Sequence, residues 1–267
     1  MAPAARPLSV LFLGVDACTP TKGENTASFL VDGRVVVDTG WFLVDRLLAA
    51  DVDPLGIEAV LLTHCHHDHI LGLPQLFFYH GIRRSPRLPR LYGPRGEASR
   101  VAADAARFLQ VDRYPELELE LEVIEVAPGQ RFALAGLQAS ACAARHALPG
   151  LCYRIERPAG PSVVFSGDTA PNPELAELAR GADLLVHECS LGAASAPDGR
   201  AWGHSGAADA AELARQAAVG RLALVHCPAE RRQAALAAAT ARFAESVLPR
   251  DGEELAVHPA PRPGGPL

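Results

Sequence analysis

The sequence predicts an α/β sandwich, and three observations lead to it. Short apolar runs of strand length interleave with helix-like stretches along the whole chain. The length of 267 residues is ordinary for one such domain and sufficient to bury a sizeable core. Residues with metal-binding or acid–base side chains fall repeatedly where an apolar run stops, which is where a sheet delivers side chains to one rim.

Taken in order, Leu8 to Gly14, Ala27 to Val31 and Arg34 to Val37 read as strands, the last two joined by the turn signal Asp32-Gly33. Trp41 to Ala50 reads as a helix. Ile57 to Leu62, with Glu58 its single charge, reads as a buried strand that runs into a histidine-rich segment. Arg83 to Arg113 reads as a solvated loop and helix. Glu116 to Glu122 alternates glutamate with leucine, so as a strand it exposes a row of carboxylates. An alternating stretch precedes His146, Cys152 to Glu156 forms a further strand, and Val163 to Phe165 runs into the turn at Gly167-Asp168. Pro173 to Arg180 is a helix with Asn172 as N-cap, Pro173 at its first position and Gly181 beyond its end. Leu222 to Val225 is a strand ending at His226. Ala207 to Val219 and Ala229 to Val247 are alanine-rich helices with leucines on one face. With no Pro/Gly/Ser linker and no internal repeat, residues 1–257 are expected to form one domain. Residues 258–267, with four prolines and two glycines, read as a disordered tail.

The most specific segment is Thr63-His64-Cys65-His66-His67-Asp68-His69. A strand end and the loop beyond it can turn His64 and His66 toward one point and Asp68 and His69 toward another. Such donors suit two borderline divalent ions, zinc before manganese or iron. A closed structural zinc site commonly uses cysteine, whereas here Cys65 alternates away from the histidines and reads as a small side chain packed behind them. His146, Asp168 and His226, each at a strand terminus, supply the further imidazoles and a carboxylate able to bridge.

On these residues the chain resembles the metallo-β-lactamase superfamily from Leu8 to about Leu248. The family's His-x-His-x-Asp-His motif is matched by His64, His66, Asp68 and His69, and its later ligands by His146, Asp168 and His226. Gly167-Asp168-Thr169, Leu185-Val186-His187-Glu188-Cys189, Gly203-His204-Ser205 and Leu224-Val225-His226 resemble the ribonuclease Z group most closely. The resemblance implies a four-layer αββα sandwich and two ions. One takes His64, His66, His146 and Asp168; the other takes Asp68, His69, Asp168 and His226. It also implies that His204, oriented by Glu188, reaches the scissile phosphate and protonates the leaving group, and that Asp68 orients the attacking water. A homodimer is common among such relatives. His187, His67 and His80 are left as structural or exposed.

The chain departs from the tRNA-processing members of that group. Their long exosite arm has no room here, because only Arg157 to Ser162 separate two strands at that point. The net charge of −6 and the carboxylate row at Glu116 to Glu122 also disfavour tRNA. Between Arg83 and Arg113, Arg83, Arg84, Arg87, Arg90, Arg95, Arg100, Arg107 and Arg113 face only Glu97, Asp104 and Asp112. By position after the metal motif, Arg83 and Arg84 become candidates to attract a small anionic substrate.

Six cysteines without regular spacing and no apolar span of membrane length point to free thiols, a cytoplasmic location and no membrane partner. No serine or cysteine stands in a nucleophile-elbow context, so a hydroxide bridging two ions is the expected nucleophile. The expectation is a dinuclear metal-dependent hydrolase acting on small or cyclic phosphodiesters. Ribonuclease Z-type tRNA 3′ cleavage, sulfate-ester or lactone hydrolysis, and a non-catalytic metal or ligand sensor are the alternatives.

Overall fold

A computed structural model describes residues 6–259 except 86, 115–116, 118–119 and 198–202. Two seven-stranded sheets face each other. The first places β1 (Leu8–Gly14), β2 (Ser28–Val31), β3 (Val35–Thr39), β4 (Ala59–Leu61), β5 (Arg90–Pro94) and β6 (Val123–Val126) side by side, with β14 (Glu254–Val257) on the outer edge of β1. The second runs through β7 (Arg131–Leu134), β8 (Leu137–Ala143), β9 (Leu151–Glu156), β10 (Ser162–Phe165), β11 (Leu184–Glu188), β12 (Leu222–Val225) and β13 (Ser246–Val247). Outside the first sheet lie α1 (Leu43–Ala49), α3 (Leu73–Ile82) and α4 (Ala98–Phe108). A single turn, α2 (His67–Ile70), precedes α3. Outside the second sheet lie α5 (Pro173–Leu178), α6 (Ala207–Gln216) and α7 (Arg232–Thr240). The order helix, sheet, sheet, helix is the four-layer sandwich expected.

The layers follow from strand chemistry. β3 to β6 pair in parallel, as do β10 to β13, and each parallel step needs a crossover, which the helices supply. The carboxyl ends of these strands share a rim, where ligands collect in sheets of this kind. Between the sheets Phe29 packs edge-on to Phe12 and 5.3 Å from Phe165. The buried Tyr153 hydroxyl donates to Leu62 O at 3.0 Å, and Leu151 N donates to Thr63 O at 2.7 Å. Thus the second sheet grips the backbone where it enters the histidine motif.

Local chemistry is obeyed at several points. Asp32 and Gly33 both have φ > 0 (52° and 71°), as the two-residue hairpin requires. Asn172 caps α5 by accepting from Glu174 N. β9 and β10 form a tight hairpin through residues 157–161, so no arm projects there.

Three expected elements are corrected. α1 begins at Leu43 rather than Trp41, because Trp41 N and Phe42 N both donate to Asn25 Oδ1. The alanine-rich helix from Ala229 stops at Thr240, since Ser246 and Val247 pair with β12 as an edge strand. The strand expected over 116–122 is not formed by its described residues: pairing with β5 begins at Val123, and Leu117 is buried outside any strand. Residues 116, 118 and 119 lie outside the described residues, as do 260–267 of the expected tail. Among the described residues no helix is long and apolar enough to cross a membrane.

Candidate metal centre

Strand ends carry the site. Thr63 to His66 leave β4 and enter α2; His146 lies between β8 and β9; Asp168 follows β10; Glu188 ends β11; His226 follows β12. Among the described residues three groups of donor atoms result, each with its atoms within 4.8 Å of one another: His64, His66, His146 and Asp168; Asp68, His69 and His226; and, sharing Asp168 with the first, Asp168, Glu188 and His204. All seven residues named from the motif fall in the first two of these groups, with Asp168 in the first alone. His66 Nδ1 stands 3.0 Å from both His64 Nε2 and His146 Nε2. Asp68 Oδ2 lies 3.1 Å from His226 Nε2 and 3.3 Å from His69 Nε2. Asp168 sits between the first two groups, 3.8 Å from His64 Nε2 and 3.6 Å from both His69 Nε2 and His226 Nε2.

These residues fit divalent ions. Imidazole nitrogens aimed at one another at 3.0 Å resemble the edges of a coordination tetrahedron, about 3.3 Å for metal–nitrogen bonds of about 2.0 Å. His69 Nε2 and Asp168 Oδ1 are buried without a hydrogen-bond partner, and an unmet buried polar atom costs roughly 1–3 kcal/mol. A cation between the groups would satisfy both.

The histidines are aimed by their other ring nitrogens. His69 Nδ1 donates to Asp38 Oδ2 at 2.8 Å, and Asp38 is itself held by Thr63 N and Thr63 Oγ1, each at 2.7 Å. His146 Nδ1 donates to Gly203 O at 3.0 Å, and His226 Nδ1 lies 2.9 Å from Ser190 Oγ. Such outer partners fix tautomer and ring orientation. Gly203 has φ +83°, and a Cβ there would stand 2.6 Å from His146 Nδ1, so only glycine allows this approach. Asp38 and His226 also adopt the left-handed region, at φ 54° and 52°.

The field inside the centre demands cations. Burial opposes ionisation of Asp68 and Asp168, but the surrounding histidines outweigh it and hold both carboxyls well below the usual range. Burial likewise opposes charge on His226, yet Asp168 and Asp68 push it up to about 9. His64 and His66 are lowered, first by burial and then by neighbouring imidazoles.

His204 stands beside the first two donor groups. Its Nδ1 donates to Glu188 Oε1 at 3.0 Å and lies 3.7 Å from Asp168 Oδ2. Its ring is 5.1 Å from that of His146 and stacks 6.1 Å from that of His226. Burial pulls its pKa down, but the hydrogen bond and charge of Glu188, with the charge of Asp168, hold it above the ordinary value. Trp202, its neighbour in the motif, lies outside the described residues.

Other histidines stand apart. His187 is buried with Nδ1 on Glu188 O, His80 lies between the carbonyls of Pro54 and Arg87, and His67 is 61% exposed. Cys65 packs in the apolar layer outside the first sheet, where burial lifts its thiol to about 12. The other cysteines are buried except Cys18, which is exposed.

Arg83 and Arg84 are not delivered to the rim. They follow the C-terminal end of α3, about 15 Å along a ten-residue helix from the metal motif, and Arg83 lies over the Tyr79 ring. Arg90, Arg100 and Arg107 pair locally with Glu122, Glu97 and Asp104 on the surface. Replacing Arg83 and Arg84 together by alanine is therefore expected to leave KM for an anionic substrate unchanged; a severalfold rise would return them to the substrate path.

Sequence reasoning missed Asp38, Ser190 and Cys18. Asp38 ends an apolar strand just as Asp168 does, so its signal was present in Val36-Val37-Asp38-Thr39. Ser190 carried no pattern beyond its nearness to Glu188. Burial and then the charges of Asp68 and Asp168 raise the thiol of Cys18 in the loop after β1.

A family described as Beta-lactamase superfamily domain matches residues 33–227. The chain is 29% identical over 265 residues, covering 80% of this chain and 85% of the relative, to a ribonuclease Z of Shouchella clausii (strain KSM-K16). Its fold is similar to the metallo-beta-lactamase fold protein YhfI of Bacillus subtilis, with a TM-score of 0.78 at 23% identity over 94% of this chain and 99% of that one. A diphosphatase of the PhnP family superposes with a TM-score of 0.71 at 19% identity, over 93% and 97% of the two chains.

Proposed function

The chain belongs to the beta-lactamase superfamily, and on that footing we propose that it is a dinuclear metal-dependent hydrolase of small or cyclic phosphodiesters. His64, His66, His146 and Asp168 would hold one divalent ion, and Asp68, His69 and His226, with Asp168 3.6 Å from two of them, would hold the other, with zinc the natural choice for imidazole and carboxylate donors. When bound, such a pair supplies Lewis acidity and makes water a competent nucleophile near neutral pH.

The observation that carries the reading is the placement of His204. A protonated imidazole held by Glu188 beside the shared carboxylate can neutralise a phosphoryl oxygen and give its proton to the departing alkoxide. Asp68 uses Oδ2 for both of its histidines, leaving Oδ1 to orient an attacking water.

The tight hairpin at residues 157–161 favours a small substrate. The likeness to a ribonuclease Z keeps tRNA 3′ cleavage as the second reading. Zinc- or manganese-loaded protein is expected to hydrolyse bis(p-nitrophenyl) phosphate, and a chelated sample to be inert. No turnover by fully metallated protein overturns the phosphodiester reading and directs assays to sulfate esters and lactones. Cleavage of precursor tRNA faster than of short diesters would favour the second reading.

A further inference from the structure

One carboxylate connects a histidine of the metal centre to the histidine facing it, and Ser190 makes the connection. Glu188 is 1% exposed, so its oxygens must be met by protein donors. Oε1 accepts from Thr169 N at 2.9 Å and His204 Nδ1 at 3.0 Å. Oε2 accepts from Ser190 N at 3.0 Å and Ser190 Oγ at 2.6 Å.

A serine hydroxyl has a single proton. Its two acceptor-only neighbours are Glu188 Oε2 at 2.6 Å and His226 O at 3.3 Å, and the far shorter contact takes the proton, which is therefore given to Glu188. The contact of Ser190 Oγ with His226 Nδ1 at 2.9 Å must then run the other way, with the ring N–H donating to the hydroxyl oxygen. This assigns one hydrogen of His226 to Nδ1, so the proton that a cation would displace is the one Nε2 gives to Asp68 Oδ2, with Asp168 alongside. The same carboxylate fixes His204 through its Nδ1.

We propose that Ser190 is a positioning residue. It fixes His226 as an Nε2 donor and couples filling of the metal centre to the orientation of His204 through the chain His226, Ser190, Glu188, His204. A cation at His226 Nε2 polarises the Nδ1–H and strengthens its bond to Ser190, which in turn tightens the bond from Ser190 to Glu188. The proposal rests on His226 being a metal ligand, as assigned above.

The test compares Ser190→Ala, Ser190→Thr and His226→Ala in the full chain, titrating zinc against a chelating competitor to resolve two dissociation constants. Ser190→Ala is expected to weaken one ion roughly 10- to 100-fold, the usual range for an outer partner of a metal histidine. Ser190→Thr keeps the hydroxyl and is expected to restore binding within a few-fold; a simple packing role would be disturbed by the larger side chain instead. Wild-type affinity for both ions in Ser190→Ala overturns the proposal. Wild-type affinity in His226→Ala overturns the ligand assignment itself, so the two failures are distinct. For the coupling, bis(p-nitrophenyl) phosphate turnover is measured in Ser190→Ala, His204→Ala and the double variant. Effects on kcat that do not add, because both act through Glu188, support it; additive effects overturn it.

Discussion

Replacing Asp168 by alanine is expected to reduce zinc from two ions per chain to at most one and to lower phosphodiester turnover on the order of 10³-fold or more. Loss of a mere outer partner costs roughly 10- to 100-fold, and Asp168 stands between both donor groups, within 3.8 Å of four imidazoles, three of them in those groups. Thermal unfolding provides a reading independent of catalysis. A ligand at a thousand times its Kd stabilises the folded state by about 4 kcal/mol, so the wild type should gain strongly from zinc and the variant little. Two tightly bound ions in Asp168→Ala would refute its shared role.

The pH dependence follows from His226. A histidine raised from 6.5 to about 9 contributes stability to the metal-free protein that is complete below pH 6.5 and lost as the pH rises through 9. Zinc must displace that proton, so its affinity for the group containing Asp68, His69 and His226 should climb over the same interval. Zinc-induced stabilisation measured at pH 6 should therefore be smaller than at pH 8.5.

His204→Ala is expected to keep both ions and yet lower kcat by roughly 10²- to 10⁴-fold, the usual worth of a placed general acid. Loss of metal in this variant would mean that His204 is a ligand. In the wild type the acid must be protonated, so turnover should hold until the pH passes the raised pKa of His204 and then fall. Glu188→Gln removes the charge that raises this pKa while burial still lowers it, so the alkaline limb should move to lower pH. A profile unchanged by either substitution would remove His204 from proton transfer.

Much of the centre was legible because its residues mark the ends of strands. His64, His146, Asp168 and His226 each follow an apolar run; parallel pairing brings the ends before His64, Asp168 and His226 to one rim, and two successive antiparallel pairings, β8 with β9 and β9 with β10, align the end before His146 with that before Asp168. Arg83 and Arg84 were misplaced because nearness in sequence was taken for nearness in space: α3 intervenes and carries them away. The boundary at Thr240 was hidden because alanine favours helix throughout Ala229 to Ala241, and only pairing of Ser246 with Leu222 ends it. Glu116 to Glu122 shows the reverse error, a period-two pattern whose neighbour strand starts pairing only at Val123. Ser190 was invisible because its importance lies in distances to Glu188 and His226, which no local pattern encodes.

The left-handed backbone at Asp38 and His226 has a consequence for folding. Forcing a side-chain-bearing residue into that region costs roughly 1–2 kcal/mol, less for an aspartate, so His226 after β12 bears more of it than Asp38 in β3. Local geometry and global architecture are in conflict there, the pattern known as frustration, which natural sequences otherwise minimise. Asp38 accepts from His69 Nδ1 and so aims that ring, while His226 aims its own Nε2, at the same small volume, so a cation filling that volume offsets the conflict at two distant points of the chain together. The final docking of the two sheets should then be the step most sensitive to metal, with β3 and β12 gaining amide protection in concert as ions are added.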